Sequence, residues 1–488
     1  LKEIKIIPPL LFFCFYCEKL KFFSYICSLK TKILKTSRLM DRHFLSLALA
    51  GTAIFVTQNV IAQEETPKIE EEKLHTFEVS AQLRPRFEYR NGAYLPLSKG
   101  DEPAILINNR TRLNFDYAST GNYPLGVHLS LQNVNIWGQA PQIQVTDKTG
   151  GLSVFEAYAV FPLADKFSAK VGRQMIALDD DRIFGSLDWH PAGRSHDALN
   201  INWNPNENLQ IRSFFAFNQN YLDGTRVINI NSPKGQHFVS SNAQPYQHME
   251  TLHAHYAFSK ATQLSFLFSN LGFRNDTAQK TYDMQTFGVH YTGAAADWKY
   301  GFSGYVQTGK NVNGTTKGAY LLAVNAGYKF SPDFSLNAGL DYLSGNDNSG
   351  TSTTDKAFNP FSGTNHKFYG FMDYYYVSFS PSVGLINPYL SANVRINEKS
   401  NLSATYHHFS SAGKMADANS NKRRSLGNEI DLVYNLKVQP FVSLQVGYST
   451  YFSNKHLEAL KGVSQARGYQ DWLWCSLNIN PKLFSAKF

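Results

Sequence analysis

The sequence predicts an all-β fold, a transmembrane antiparallel up-and-down β-barrel of about 18 strands, with short periplasmic turns and long extracellular loops. Three observations carry that prediction. Of 488 residues, 43% are hydrophobic and 14% aromatic, with 27 Tyr and 36 Phe, yet only 17% are charged. An average soluble domain has about 25% charged residues, and so many aromatics exclude a disordered chain. Next, apolar and polar residues alternate with period two through most of the chain. Finally, the connections between alternating segments are short and long by turns, as in outer-membrane barrels.

The N-terminal part is different. Residues 1–39 hold three of the four cysteines, Cys14, Cys17 and Cys27, and Pro8-Pro9 interrupts their apolar run. Cys14 and Cys17 have the spacing of a metal or redox pair but lack a second pair and a βαβ context. The stretch reads as an upstream translation extension. Met40 opens a secretory signal peptide over 40–62. Arg42 and His43 are its basic region, Phe44 to Val56 its apolar region, and Val60-Ile61-Ala62 a small-residue cleavage site. The rival, a membrane anchor over 44–62, is weakened by the polar Thr57-Gln58-Asn59. Residues 63–75 are then a short periplasmic segment and 76–488 the barrel, placed in the bacterial outer membrane. Residues 1–62 carry nine Lys or Arg and three Asp or Glu, so the remainder holds 38 against 35, a net +3 rather than +9. That balance gives no reason to expect nucleic-acid binding. Cys475 is the one cysteine left, so no internal disulfide is expected, and pairing of backbone groups must hold the fold.

The first strand starts at Phe77. Odd positions to Tyr89 are apolar or aromatic apart from Pro85, while even positions run Glu78, Ser80, Gln82, Arg84, Arg86, Glu88, Arg90. The second sets Thr111, Leu113, Phe115 and Tyr117 against Arg110, Arg112, Asn114 and Asp116. The pattern recurs at Leu125–Leu131, Leu199–Trp203, Trp298–Phe302, Ile430–Leu436 and Val442–Tyr448. Soluble sandwiches alternate too, but these strands run to about ten residues rather than the usual five or six, and aromatics gather at their ends. Eight short turns and nine long loops join eighteen strands, provided that Phe368–Tyr376 lies inside the long loop 345–385. The segment 274–282 is expected to be one of the long loops.

Energetics assigns the faces. An Arg facing lipid at the midplane costs about 2–4 kcal/mol, so Arg84, Arg86, Arg90, Arg110 and Arg112 must line the lumen. Glu78, Glu88 and Asp116 are their counter-charges. Spaced guanidiniums in a polar pore form an anion-selective device, since each stays charged and grips a carboxylate through two parallel hydrogen bonds. The bland alternative is that these groups only pair across strands and fill the barrel.

The block Val171-Gly-Arg-Gln174, Asp181-Arg-Ile-Phe-Gly185, Asp188-Trp189 and Gly193-Arg-Ser-His-Asp197 resembles the signature of the alginate export family of outer-membrane porins. Leu83–Glu88 and Asn109–Arg112 are similar to that family's first two strands, and His366–Asp373 to a late motif. The similarity spans most of 76–488. It implies an eighteen-stranded barrel whose basic constriction passes a polyuronate. By match it carries over Arg84, Arg86, Arg110, Arg112, Arg173 and Arg194, with Gly172, Gln174, Arg182, Gly185, Asp188, Trp189 and Asp197 as the signature loop. Arg212, Lys299 and Arg395 join the basic lumen by strand parity.

No catalytic set emerges. Ser195-His196-Asp197 holds triad residue types, but contiguity is not triad geometry; it reads as a loop rim. His253 and His255 share a strand face, and Asp179–Asp181 could hold Ca²⁺ in an outer loop, but lumen histidines without special role and solvated acids explain them as well. Tyr374–Tyr376 would stack on a sugar or simply pack the loop. No metal or other cofactor is expected. About a dozen residues precede the first strand, too few for a plug domain or passenger. The expected function is a passive channel for an anionic polysaccharide or oligosaccharide, alginate-type polyuronate by resemblance. The alternative is a general, weakly selective porin. Expected partners are outer-membrane lipid and lipopolysaccharide and an anionic or sugar solute, with a periplasmic export partner left open, for a monomeric barrel. Loops 220–247 and 345–385 are the candidates to fold inward and narrow the pore.

Overall fold

A computed structural model describes residues 75–488 apart from 122, 140–150, 219–245, 276, 279, 348–351, 376–382 and 418–419. The extension, the signal peptide and nearly all of the segment 63–75 lie outside the described residues. Eighteen antiparallel strands close on themselves. They are β1 His75–Asn91, β2 Ala104–Ser119, β3 Leu125–Ile136, β4 Ser153–Ala164, β5 Phe167–Gln174, β6 His196–Asn206, β7 Leu209–Phe217, β8 His248–Ala257 and β9 Gln263–Asn275. There follow β10 Lys280–Ala295, β11 Trp298–Gly309, β12 Ala319–Ser331, β13 Phe334–Leu343, β14 Leu385–Asn397, β15 Ser400–Ser410, β16 Ser425–Gln439 and β17 Val442–Ser453. The last strand, β18, runs Tyr469–Ile479 and resumes as Lys482–Lys487 after a break at Asn480-Pro481, where proline has no N–H to give the ladder. Both pieces pair with β1, which also pairs with β2, so the barrel has no free edge.

Each strand pairs with its sequence neighbour, so topology follows from connection length alone. The two ends differ as the sequence predicts, with one correction. Residues 274–282 do not form a long loop: the ladder of β9 and β10 runs up to Asn275 opposite Lys280, leaving four residues between them. Residues 365–375 form a 3₁₀ turn and bends inside the 344–384 connection, not a strand pair.

The outward face carries the apolar side chains. On β12, Val324 is 47% exposed while its neighbour Ala323 is 2% exposed. Aromatics ring both ends: Phe167 stacks on Trp203 at 5.4 Å near the short turns, and Tyr320 on Tyr342 at 5.5 Å near the long loops. Among the described residues no helix is long and apolar enough to cross a membrane; the strands do so.

The buried core lies inside the barrel, toward the long-loop end. The connection 175–195 contributes Ile176, Leu178 and Phe184, and the connection 344–384 contributes Phe358, Tyr369, Met372, Tyr374 and Tyr375. They pack against lumen-facing wall residues including Met249, Leu267, Leu321, Leu343, Phe409 and Tyr451. A barrel of this size is too wide for wall side chains alone to fill, so loops supply the filling.

The face assignment has a direct test. Val324→Arg puts a charge among lipid tails and is expected to cost about 2–4 kcal/mol. Asn325→Arg, one residue on and facing the lumen, is expected to cost far less. Urea titration of the protein folded in lipid vesicles compares the two.

Candidate functional site

The site begins at the lumen face of β1 and β2. Their register sets Gln82 opposite Arg112 and Arg84 directly opposite Arg110, the latter a pair of like charges that repels unless something anionic or electron-rich intervenes. The tip of the 175–195 connection does so. The Asp188 carboxylate lies 2.9 Å from Arg110, 3.1 Å from Arg112 and 3.8 Å from Arg84. Backbone carbonyls take the other donors. Arg84 donates to Asp188 O at 2.7 Å and His190 O at 3.0 Å, and Arg86 to Trp189 O at 2.8 Å. Gln132 on β3 donates to Ala192 O at 3.0 Å and accepts from Arg112 Nε at 2.7 Å. Burial opposes ionisation of Asp188, but the guanidiniums of Arg110, Arg84 and Arg112 outweigh it and hold the carboxyl below the usual range.

Glu88 plays a different part. It is fully buried and bridges Arg86 at 2.9 Å and Arg90 at 2.7 Å, with the Trp472 indole N–H donating at 3.1 Å. It thereby neutralises part of the wall.

A four-layer stack continues inward from β1. The Arg86 guanidinium lies 5.3 Å from the Trp189 ring, Trp189 stacks on His366 at 3.6 Å, and His366 on Phe371 at 4.5 Å. The stack fastens one inward loop to the other. Burial pushes the His366 imidazole down to about 3 and raises the Asp373 carboxyl well above its usual range, so it opposes charge on both members of this pair, which lie 2.9 Å apart. On the far side, buried Arg182 reaches Asp341 on β13 at 2.8 Å and Asp180 at 2.8 Å, with Phe368 against its face at 4.0 Å. Arg194 donates to Gly185 O at 3.2 Å and also to Ser362 O. The 175–195 connection thus bridges the lumen from β1 and β2 to β13.

Two glycines of the signature are required by space. A Cβ on Gly185 would sit 2.2 Å from Thr364 Oγ1, where the two loops touch. Gly172 has φ of +124° and leaves a Cβ only 2.2 Å from Ala157 O. Gln174 is buried and donates to Ala198 O at 2.8 Å.

The remaining expected residues scatter. Arg90 lies above Glu88 with Tyr94 at 5.0 Å. Asp116 pairs with His128 at 2.6 Å, and Glu78 with Lys482 at 2.7 Å at the short-turn rim. Arg212 approaches His253 at 3.2 Å, and His253 reaches Asp179 at 2.9 Å. Lys299 lines the lumen, as does Arg395, which pairs with Asp333 at 2.6 Å. Arg173 and Asp197 do not join the lumen. They sit opposite each other in the register, 3.0 Å apart, on the same outward face as Val171 and Leu199. His196 and Asp197 begin β6 rather than a loop rim, and His196 is buried against Tyr246. Tyr374 and Tyr375 are buried in loop packing; Tyr376 lies outside the described residues. The three acids Asp179, Asp180 and Asp181 face His253, Arg182 and Lys367 respectively. Among the described residues no three His, Cys, Asp or Glu gather as a metal site.

Of the two loops the pattern favours to fold inward, 345–385 does so, with Phe358, Tyr369 and Met372 in the buried core, and 220–247 lies almost wholly outside the described residues. Pattern reading missed the inward turn of 175–195. A signal was available. At the long-loop ends apolar residues occupy both faces, as in Phe214-Phe-Ala-Phe217 and Tyr320-Leu-Leu-Ala-Val324, which a water-filled lumen would not ask for. It also missed Lys170, whose ammonium lies 3.7 Å from the Tyr158 ring inside the barrel.

Toward the short turns the lumen opens. A cavity of about 1500 Å³ is lined by Arg84, Arg86, Asp188, Lys299, Lys329 and Arg395, among others. A second of about 930 Å³ runs past Arg212, His255, Lys260 and Lys299.

A closed eighteen-stranded antiparallel barrel with an apolar belt and inward loops is an outer-membrane porin of the bacterial type. Solved structures of that class match it. OpdL of Pseudomonas aeruginosa is 12% identical with a TM-score of 0.58, over 84% of this chain and 99% of that one. OccAB1 of Acinetobacter baumannii is 13% identical with a TM-score of 0.58, over 84% and 97%. OpdK of P. aeruginosa, solved with vanillate, is 10% identical with a TM-score of 0.55, over 84% and 99%. No curated protein gives a significant match. The family model for alginate export matches residues 76–467, and the chain belongs to that family. It is a bacterial outer-membrane channel protein, and its family and fold are those of channels rather than enzymes.

The bridge across the lumen is testable through its buried ion pair. Arg182→Met strands Asp341 without its partner and is expected to cost about 3–5 kcal/mol, with Asp341→Leu in the same chain recovering most of it. Urea denaturation followed by tryptophan fluorescence measures both.

Proposed function

We infer that the chain is a passive channel for an anionic polysaccharide or oligosaccharide, with a polyuronate of the alginate type as its leading solute. The observation that carries this is the basic lumen wall. Arg84, Arg110 and Arg112 meet at the loop tip, and Lys299, Lys329 and Arg395 continue along the cavity toward the short turns. A chain of carboxylates moving past spaced cations meets several weak sites rather than one tight one, which favours conduction over trapping. Membership in the alginate export family supports a polyuronate in particular.

A second reading is a general porin for small carboxylates. The two inward loops that fill the outer half of the lumen favour it, as does the vanillate in the OpdK structure, because a narrow passage suits a small acid better than a polymer.

Planar-bilayer recording separates the two. The polyuronate channel is expected to prefer chloride over potassium and to be blocked by uronate oligomers more strongly as they lengthen. Block is expected to weaken between 0.1 and 1 M salt, as the screening length falls from about 10 to about 3 Å. Lys299→Ala with Arg395→Ala is expected to reduce both effects. Equal block by monomers and oligomers would leave the small-carboxylate porin.

A further inference from the structure

We propose that Asp188 is a built-in competitor for the permeating anion. Its carboxylate occupies a carboxylate site made by Arg84, Arg110 and Arg112, and a solute carboxylate passes by exchanging with it. This inference rests on the anion-channel reading and adds the residue that sets affinity and selectivity.

The first support is the contrast within the contact. The arginine side chains are 1–11% exposed, whereas that of Asp188 is 51% exposed and faces the large cavity. The cationic wall is fixed and the carboxylate is within reach of a solute. The second is that the loop tip does not depend on this carboxylate. The backbone carbonyls of Asp188, Trp189, His190 and Ala192 all accept from Arg84, Arg86 or Gln132, and Trp189 is locked in its stack. The Asp188 side chain can rotate away while the tip stays. The third is charge. Three guanidiniums face one carboxylate there, so a second carboxylate can enter before the first leaves. Glu88 cannot play the same part, being fully buried between Arg86 and Arg90.

Exchange solves a kinetic problem. A bare site of three guanidiniums would hold a carboxylate through several charge-assisted hydrogen bonds and release it slowly. A tethered carboxylate present at an effective concentration of about millimolar or above competes continuously and speeds release.

The test uses protein purified from outer membranes, in planar bilayers, comparing wild type with Asp188→Asn and Asp188→Glu. Reversal potential in a KCl gradient and block by uronate oligomers of defined length are recorded. Asp188→Asn is expected to shift selectivity toward chloride and to tighten uronate block about tenfold, with slower release; Asp188→Glu is expected to stay near wild type. An unchanged reversal potential in Asp188→Asn overturns the proposal, whatever the uronates do. A large, non-selective rise in conductance in both variants also overturns it, because Asp188 would then merely hold the loop. If uronates block neither protein but the reversal potential of Asp188→Asn still moves toward chloride, the exchange site stands and the polyuronate reading falls.

Discussion

The structure depends on how the guanidiniums of two neighbouring strands are satisfied. Alternation along β1 and β2 turns Arg84, Arg86, Arg110 and Arg112 into the lumen because lipid would be far costlier. Register then places Arg84 and Arg110 face to face. Each guanidinium has five N–H donors and no acceptor, so the wall needs several electron-rich partners at once; the strands supply Gln82 for Arg110, Gln132 for Arg112 and Glu88 for Arg86. The tip of the 175–195 connection supplies others as a run of carbonyls and one carboxylate. Once that tip is held, Trp189 is set over Arg86, and His366 and Phe371 can stack beneath it. The second inward loop is thereby positioned by the first.

The same constraint divides the lumen. Toward the long loops, two connections pack an apolar core between wall residues such as Met249, Leu321 and Phe409. Toward the short turns the wall is polar and cationic, and the cavities open. The wall residues change character along each strand accordingly. On β12, Leu321 is buried at the packed end, Asn325 lies in the middle and Lys329 lines the open end, all on one face.

That gradient explains what was legible in the sequence. Strand existence, pairing order and facing could be read because period two reports directly on an interface between lipid and lumen. The length of 345–385 marks it as able to fold inward, as it does, but the inward turn of 175–195 has no periodicity to report it; its trace is the doubling of apolar residues at Phe214–Phe217 and Tyr320–Val324. Arg173 shows the opposite error. Its motif placed it in the basic path, but it shares parity with Val171, whose apolar side chain faces out. Parity reports where a side chain points, while a motif reports only that a residue type recurs. The alternation of short and long connections puts a long loop at 274–282, but backbone pairing up to Asn275 opposite Lys280 extends the ladder across most of it.

The choice of partners at the loop tip has an electrostatic consequence. A carboxylate on every arginine would satisfy the donors and cancel the charge, leaving a wall with no field. Backbone carbonyls satisfy donors without removing charge. Around the tip, Arg84 and Arg86 give hydrogen bonds to the carbonyls of Asp188, Trp189 and His190, and a single exposed carboxylate serves three guanidiniums. Arg86 and Arg90, by contrast, share buried Glu88 and are more fully neutralised. The same side chains therefore hold the loop tip while Arg84 and Arg86 also line the cavity below it, so in the proposed channel one set of guanidiniums would serve both folding and anion selection.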